Sequence, residues 1–276
     1  MTGMRDGEIQ VGWISGMPRS GTTWLSQIFA SSPDVRLKSC PLYSFEFKDA
    51  LDEKSTARQW EKLFADVYHT KSEFLDQEHL RKHGLVPRFE DKHESPRHLI
   101  IKSNRFHNLT PHIISLNTSV RFIHIVRHPC ATIYSWLSNP REFPANANPL
   151  TEWKSGQCRK TGPGEFWGFD DWKKVTAQAL LLGRQYPDRY RIVRYEDLVT
   201  DPVRYAQELF RYLDVPFEKQ TLQFIEQSHS RHDEHKHSVF KKPALIEAWK
   251  EKLDMAIVEE CLDEIRGSEL EQFAIG

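Results

Sequence analysis

Apolar positions follow two rhythms along the chain. Val11-Gly12-Trp13-Ile14 is a short apolar run ending in a glycine turn and reads as a buried strand. From Thr22 to Ala30 the spacing changes: Trp24, Leu25, Ile28 and Phe29 recur with helical period, and Ser31-Ser32-Pro33-Asp34 stops the helix. His98-Leu99-Ile100-Ile101-Lys102, Arg121 to Val126 and Arg191-Ile192-Val193-Arg194-Tyr195 predict three more strands. Helices are expected from Pro129 to Ser138, Asp170 to Tyr186, Pro202 to Leu213 and Ala244 to Ile265. Pro129 suits a first helical position, where the missing N–H is unpaired anyway. The charged, aromatic-rich stretch from Asp49 to Glu94 predicts helix in pieces. Asn139 to Gly168, rich in Pro, Gly and Asn, is too long for a mere connection and predicts a functional loop or lid. Strands alternating with helices point to an α/β fold, a parallel sheet covered on both faces, in one domain spanning residues 1–276.

Composition narrows the class. With 39% hydrophobic and 28% charged residues the chain reads as soluble and globular, and its net charge of -1 gives no global pull toward nucleic acid or acidic membrane. No run approaches the roughly eighteen apolar residues of a membrane span. The first ten residues lack a signal-peptide pattern, and Cys40, Cys130, Cys158 and Cys261 form no CxxC pair. Read as free thiols they suit a reducing compartment, so a cytoplasmic location is expected.

The chemistry concentrates in Gly16-Met17-Pro18-Arg19-Ser20-Gly21-Thr22-Thr23, between a strand and a helix. Glycines at that place let backbone N–H groups converge on an anion at the positive end of the helix dipole. A nucleotide triphosphatase would continue Gly-Lys-Ser/Thr, but Gly21 is followed by Thr22 and Thr23. The third strand ends in Arg127, where such an enzyme might carry a magnesium-binding aspartate. Arginine thus replaces lysine and magnesium as the neutraliser of phosphate charge. A rival reading gives Glu196 and Asp197 the magnesium role, in a small-molecule kinase. It leaves the missing loop lysine unexplained.

Pro18-Arg19-Ser20-Gly21-Thr22-Thr23-Trp24-Leu25 resembles the 5'-phosphosulfate loop of sulfotransferases that use 3'-phosphoadenosine 5'-phosphosulfate (PAPS). Arg127, with Ser135 eight residues on, resembles the family's pair for the 3'-phosphate. The resemblance runs from about Val11 to Leu253 and suggests a bacterial-type member. It implies a three-layer, P-loop-like α/β fold with a central parallel sheet flanked by helices. It also implies sulfuryl transfer from PAPS, without metal, to a small-molecule or carbohydrate acceptor, leaving adenosine 3',5'-bisphosphate (PAP). The implied donor site comprises Arg19, Ser20, Gly21, Thr22, Thr23, Trp24 and Tyr195 near the adenine end, Arg127 and Ser135, and a basic loop Phe240-Lys241-Lys242.

The same resemblance puts Arg19 and Lys102 beside the transferring group. The family's Lys-Thr-His reads Lys102-Ser103-Asn104 here, so asparagine replaces the base histidine. His107 and Glu46 are the replacement candidates, His107 for its pKa and Glu46 because carbohydrate and tyrosine sulfotransferases draw a glutamate from that region. The substitution also keeps open a non-catalytic nucleotide-binding relative. His229, His232, His235 and His237 lack a second ligand group at a metal-site spacing. Trp153, Phe166, Trp167, Phe169 and Trp172 fit either an acceptor pocket or plain core.

Overall fold

The computed structural model describes residues 9–230 and 246–275. Five strands form one parallel sheet: β1 (Gln10–Ser15), β2 (Val35–Ser39), β3 (His98–Ser103), β4 (Arg121–Val126) and β5 (Tyr190–Arg194), in the order β2-β3-β1-β4-β5. Register aligns their C-terminal ends, with Ser15 opposite both Ser103 and His124, and Val126 opposite Arg194. The helices are α1 (Thr22–Ala30), α2 (Ala57–His69), α3 (Glu78–Lys82), α4 (Thr110–Leu116), α5 (Pro129–Leu137), α6 (Pro149–Ser155), α7 (Gly168–Gln185), α8 (Tyr195–Thr200), α9 (Pro202–Tyr212), α10 (Lys219–Ser230), α11 (Trp249–Lys252) and α12 (Met255–Ile265).

Successive strand residues point to opposite faces, which explains the unbroken apolar runs. Ile14, Ile100, Ile123 and Ile125 pack on one side with Leu25, Ile28 and Phe29 of α1 and Leu209 and Phe210 of α9. Phe29 and Phe210 stack with ring centroids 4.5 Å apart. Trp13, Leu99, Ile101 and Phe122 pack on the other side with Trp60, Leu63 and Phe64 of α2 and Ala179 and Leu182 of α7. A third cluster joins α5, α7 and α12 through Cys130, Ile133, Trp172, Val175, Ile257 and Cys261. The three-layer α/β arrangement is the expected one. It turns every strand's C-terminal end toward one edge, where open parallel sheets bind ligands at the point of strand-order reversal.

Four departures from the sequence reading have local causes. β2 carries Arg36 and Lys38 in alternation and escaped an apolar-run search, as did α10. Tyr195 opens α8 rather than closing β5. The 139–168 stretch contains α6 and a 3-10 turn at Gln157–Arg159. The C-terminal helix breaks between α11 and α12, where Asp254 caps the next turn through the Ala256 N–H.

Candidate active site

The loop from Gly16 to Gly21 leaves β1 at the centre of the sheet and enters α1. Gly21 sits at φ +92°, and a Cβ there would lie 2.4 Å from Tyr195 Cδ2. Tyr195, held at the start of α8, is the wall against which the loop closes. We expect Gly21→Ala to cost about 1–3 kcal/mol of stability, from positive-φ strain plus this clash. Urea unfolding would measure it, and an unchanged midpoint would show that the turn yields. The N-terminus of α1 has no side-chain cap, so its first N–H groups stay available to a ligand. Ser20 Oγ is buried beside it with no hydrogen-bond partner, an orphan that a bound anion would satisfy.

Two arginines converge here from separate elements. Arg19 adopts φ +73°, an uncommon state for a non-glycine residue. Its carbonyl accepts a 3.1 Å bond from Arg127 Nη1, which ties the loop to the end of β4. Arg19 Nε donates to Ser135 Oγ on α5 at 3.2 Å, and its Nη1 lies 3.4 Å from Glu142 Oε2. Burial lowers the pKa of Arg19, Glu142 opposes that, and neighbouring Arg127 adds to it. Arg127 lies 4.7 Å from the centroid of the Tyr195 ring, its Nε is buried without a partner, and it makes no ion pair among the described residues. Arg19, Arg127, Ser135, Ser20, Gly21 and Tyr195 are therefore one constellation, although they come from four stretches of chain.

The remaining expected residues are placed as follows. Thr22 is buried in the first turn of α1 and Thr23 is half-buried beside it. Trp24 is 9% exposed, packs edge-on against Tyr195 at 6.3 Å and donates its indole N–H to Ser228 Oγ, so the ring belongs to the wall of the site. Lys102 is 7% exposed at the end of β3 and makes no ion pair among the described residues. Glu196 accepts the backbone N–H of His128 at 2.9 Å, capping the start of α5. That engages one of the two carboxylates which the kinase reading assigned to magnesium. Phe240, Lys241 and Lys242, and His232, His235 and His237, lie outside the described residues, as does the side chain of His229.

Neither base candidate joins the arginines. His107 is 2% exposed, enclosed by His124 and Phe166, and burial pushes its pKa down to about 4. His124 is held down to about 3 by burial and by His107, and shares a 2.8 Å hydrogen bond with Ser15. Glu46 is exposed on the segment after β2, where the Ser72 hydroxyl, above all, holds its carboxyl below the usual range. Asn104 Oδ1 accepts the Cys40 thiol at 3.3 Å. Trp153, Phe166, Trp167, Phe169 and Trp172 are all buried, and of these Phe166 also lines a cleft.

Sequence reasoning missed Glu142, Tyr43 and the Arg105–Glu165 ion pair. Arg105 stacks 3.8 Å over the Tyr43 ring while it pairs with Glu165. Phe106 N–H donates to Gly164 O at 2.8 Å, fastening the 139–168 segment to the end of β3. Beside this latch lies a cleft of about 530 Å³ lined by Asn108, Lys160, Thr161, Glu165, Phe166 and Lys174. The one usable signal was the length and composition of the 139–168 segment.

Comparison with known proteins adds the family and the fold to this geometry. The chain belongs to the sulfotransferase family, whose model matches residues 13–219. Among individual relatives, it is 26% identical over 219 residues to a protein-tyrosine sulfotransferase of Drosophila melanogaster, covering 76% of this chain and 39% of that protein. It is 28% identical over 138 residues to carbohydrate sulfotransferase 3 of Tetronarce californica, covering 47% and 30%. The chain thus spans well under half the length of these relatives. The fold matches the sulfotransferase domain of the Synechococcus PCC 7002 olefin synthase, with a TM-score of 0.55 at 20% identity over 99% of this chain and 98% of that one. A mouse sulfotransferase complexed with PAP gives a TM-score of 0.55 at 16% identity, over 97% and 88%.

Proposed function

We propose that this chain transfers the sulfuryl group of PAPS to a hydroxyl-bearing acceptor. The observation that carries the reading is Arg127. It is a cation at the end of a buried strand, fixed by the loop carbonyl of Arg19 and the Tyr195 ring, with no carboxylate paired to it among the described residues. A group so placed needs an anion. Ser135 on the next helix, whose Oγ accepts from Arg19 Nε, and the orphaned Ser20 hydroxyl can add neutral donors to that anion. The residues therefore fit a donor with phosphate groups at two places. Arg127 and Ser135 would hold the 3'-phosphate, and the loop N–H groups with Arg19 the phosphosulfate. PAPS, when bound, supplies an activated sulfuryl group. The chain's part is to orient it, to neutralise charge on the leaving phosphate, and to line up the acceptor oxygen. Lys102, buried at the end of β3 and without an ion pair among the described residues, is a third cation available for this task.

The acceptor is proposed to be polar, carbohydrate or tyrosine in class. Arginine rather than lysine at residue 19, the names of the two relatives, and the polar lining of the cleft beside Glu165 support this. A single domain in the cytoplasm is part of the same reading, supported by four free thiols. No described helix is long and apolar enough to cross a membrane.

Thermal unfolding with PAP, AMP, ADP and ATP–magnesium tests the donor assignment. A ligand that binds only the folded state at a hundred times its Kd adds about 2.7 kcal/mol, a rise of roughly 5–10 °C in Tm for a chain of this size. We expect that rise with PAP and not with ATP–magnesium. The reverse pattern would replace the sulfotransferase reading with the kinase.

A further inference from the structure

Glu142 belongs to neither family motif, yet its carboxylate faces the loop arginine. Its backbone and its carboxylate are both held. Asn139, fully buried, donates Nδ2 to Glu142 Oε2 at 2.9 Å and accepts the Glu142 N–H at 3.0 Å. The Trp136 indole N–H donates to the Glu142 carbonyl at 3.3 Å. The Glu142 side chain is 19% exposed, so it is not sealed from solvent. This is an unusual neighbour for a cation that must hold an anionic donor. Carboxylate and sulfuryl oxygens are both acceptors only, and they repel one another. Arg19 can serve both, because its planar fork carries five N–H groups. What fits between the two anions is a group with a proton to give, which is an acceptor hydroxyl.

Resting on the PAPS reading above, we infer that Glu142 is the catalytic base of this enzyme. Its carboxylate takes the proton of the acceptor hydroxyl while the acceptor oxygen bonds to sulfur and the sulfur–oxygen bond to the 5'-phosphate breaks. PAP leaves with that electron pair, and the proton on Glu142 passes to water. The role stands open because Asn104 occupies the family's histidine position, His107 is walled in, and Glu46 sits beside Ser72.

The test compares the parent chain with Glu142→Gln and Glu142→Ala. PAP affinity is measured by calorimetry, and PAPS consumption with stoichiometric enzyme, using water, glucosamine and phenol as acceptors. The expected result is PAP affinity unchanged or tighter in Glu142→Gln, with PAPS consumption reduced about a hundredfold. Added formate should partly restore consumption in Glu142→Ala. Two results would overturn the inference: consumption within about threefold of the parent, or affinity and consumption falling together, as for a residue that merely shapes the donor site. A parent that binds PAP yet consumes PAPS with none of these acceptors would overturn it too, since a base must act on some hydroxyl held in line with the sulfur. A parent that fails to bind PAP would instead sink the donor reading itself.

Discussion

Arg127→Ala should weaken PAP binding by about 10² to 10³-fold and leave Tm without ligand within a few degrees of the parent. Truncating one partner of a desolvated, hydrogen-bonded charge pair typically costs 2–5 kcal/mol, and each 1.4 kcal/mol is tenfold in affinity. The ligand-free protein has less to lose. Arg127 makes no ion pair among the described residues and leaves its Nε buried and unmatched. Removing it forfeits the bond to Arg19 O and the Tyr195 contact, but also relieves an uncompensated charge. Arg127→Lys should recover only part of the affinity, because an ammonium has neither the fork nor the flat face that Tyr195 packs against. Calorimetric titration with PAP decides it. An affinity unchanged in Arg127→Ala would remove the 3'-phosphate from this position. A collapse of Tm would recast the residue as structural.

β1, β3 and β4 were legible because both faces of each are covered, which forces apolar residues at consecutive positions, and the edge strand β5 was legible from Ile192 and Val193 alone. β2 was not, because its polar residues are stabilised by tertiary partners. Lys38, 2% exposed, is held by the Thr70 carbonyl and by Asp76, far along the chain. The loop from Gly16 to Gly21 was legible because its requirements are local: a strand, positive-φ glycine at Gly21 and a helix start lie within a dozen residues. The base was not. His107 looked suitable from its distance to Lys102, but Phe106 takes φ +56° and the following 3-10 turn carries the imidazole inward against His124. Glu142 reaches Arg19 only because α5 carries the chain back across the loop, and no spacing in the sequence encodes that return.

Arg19→Ala should lower kcat by about 10³ while changing PAP affinity much less. Where preorganised donors act on charge that develops in the transition state, removing one costs 10² to 10³ in kcat. Arg19 has the build of such a group. Its backbone is held at φ +73° by Arg127, and its guanidinium is fixed between Ser135 Oγ and Glu142 Oε2. The side chain therefore needs little reordering when charge arrives. Burial lowers its pKa, but a guanidinium keeps its proton throughout the working range. Its help is electrostatic, and a solvent-exchangeable proton from Arg19 has no place in the step. Ground-state affinity is shared among the loop N–H groups, Arg127 and Ser135, so the loss in Kd should be modest. Arg19→Lys separates charge from shape. A lysine keeps the point charge but cannot span Ser135 and Glu142 together, so kcat should return only in part. Paired measurement of PAP affinity and of PAPS turnover tests this. A large affinity loss with turnover intact would place Arg19 in binding rather than in the transfer, and would move the burden of leaving-group stabilisation to Lys102.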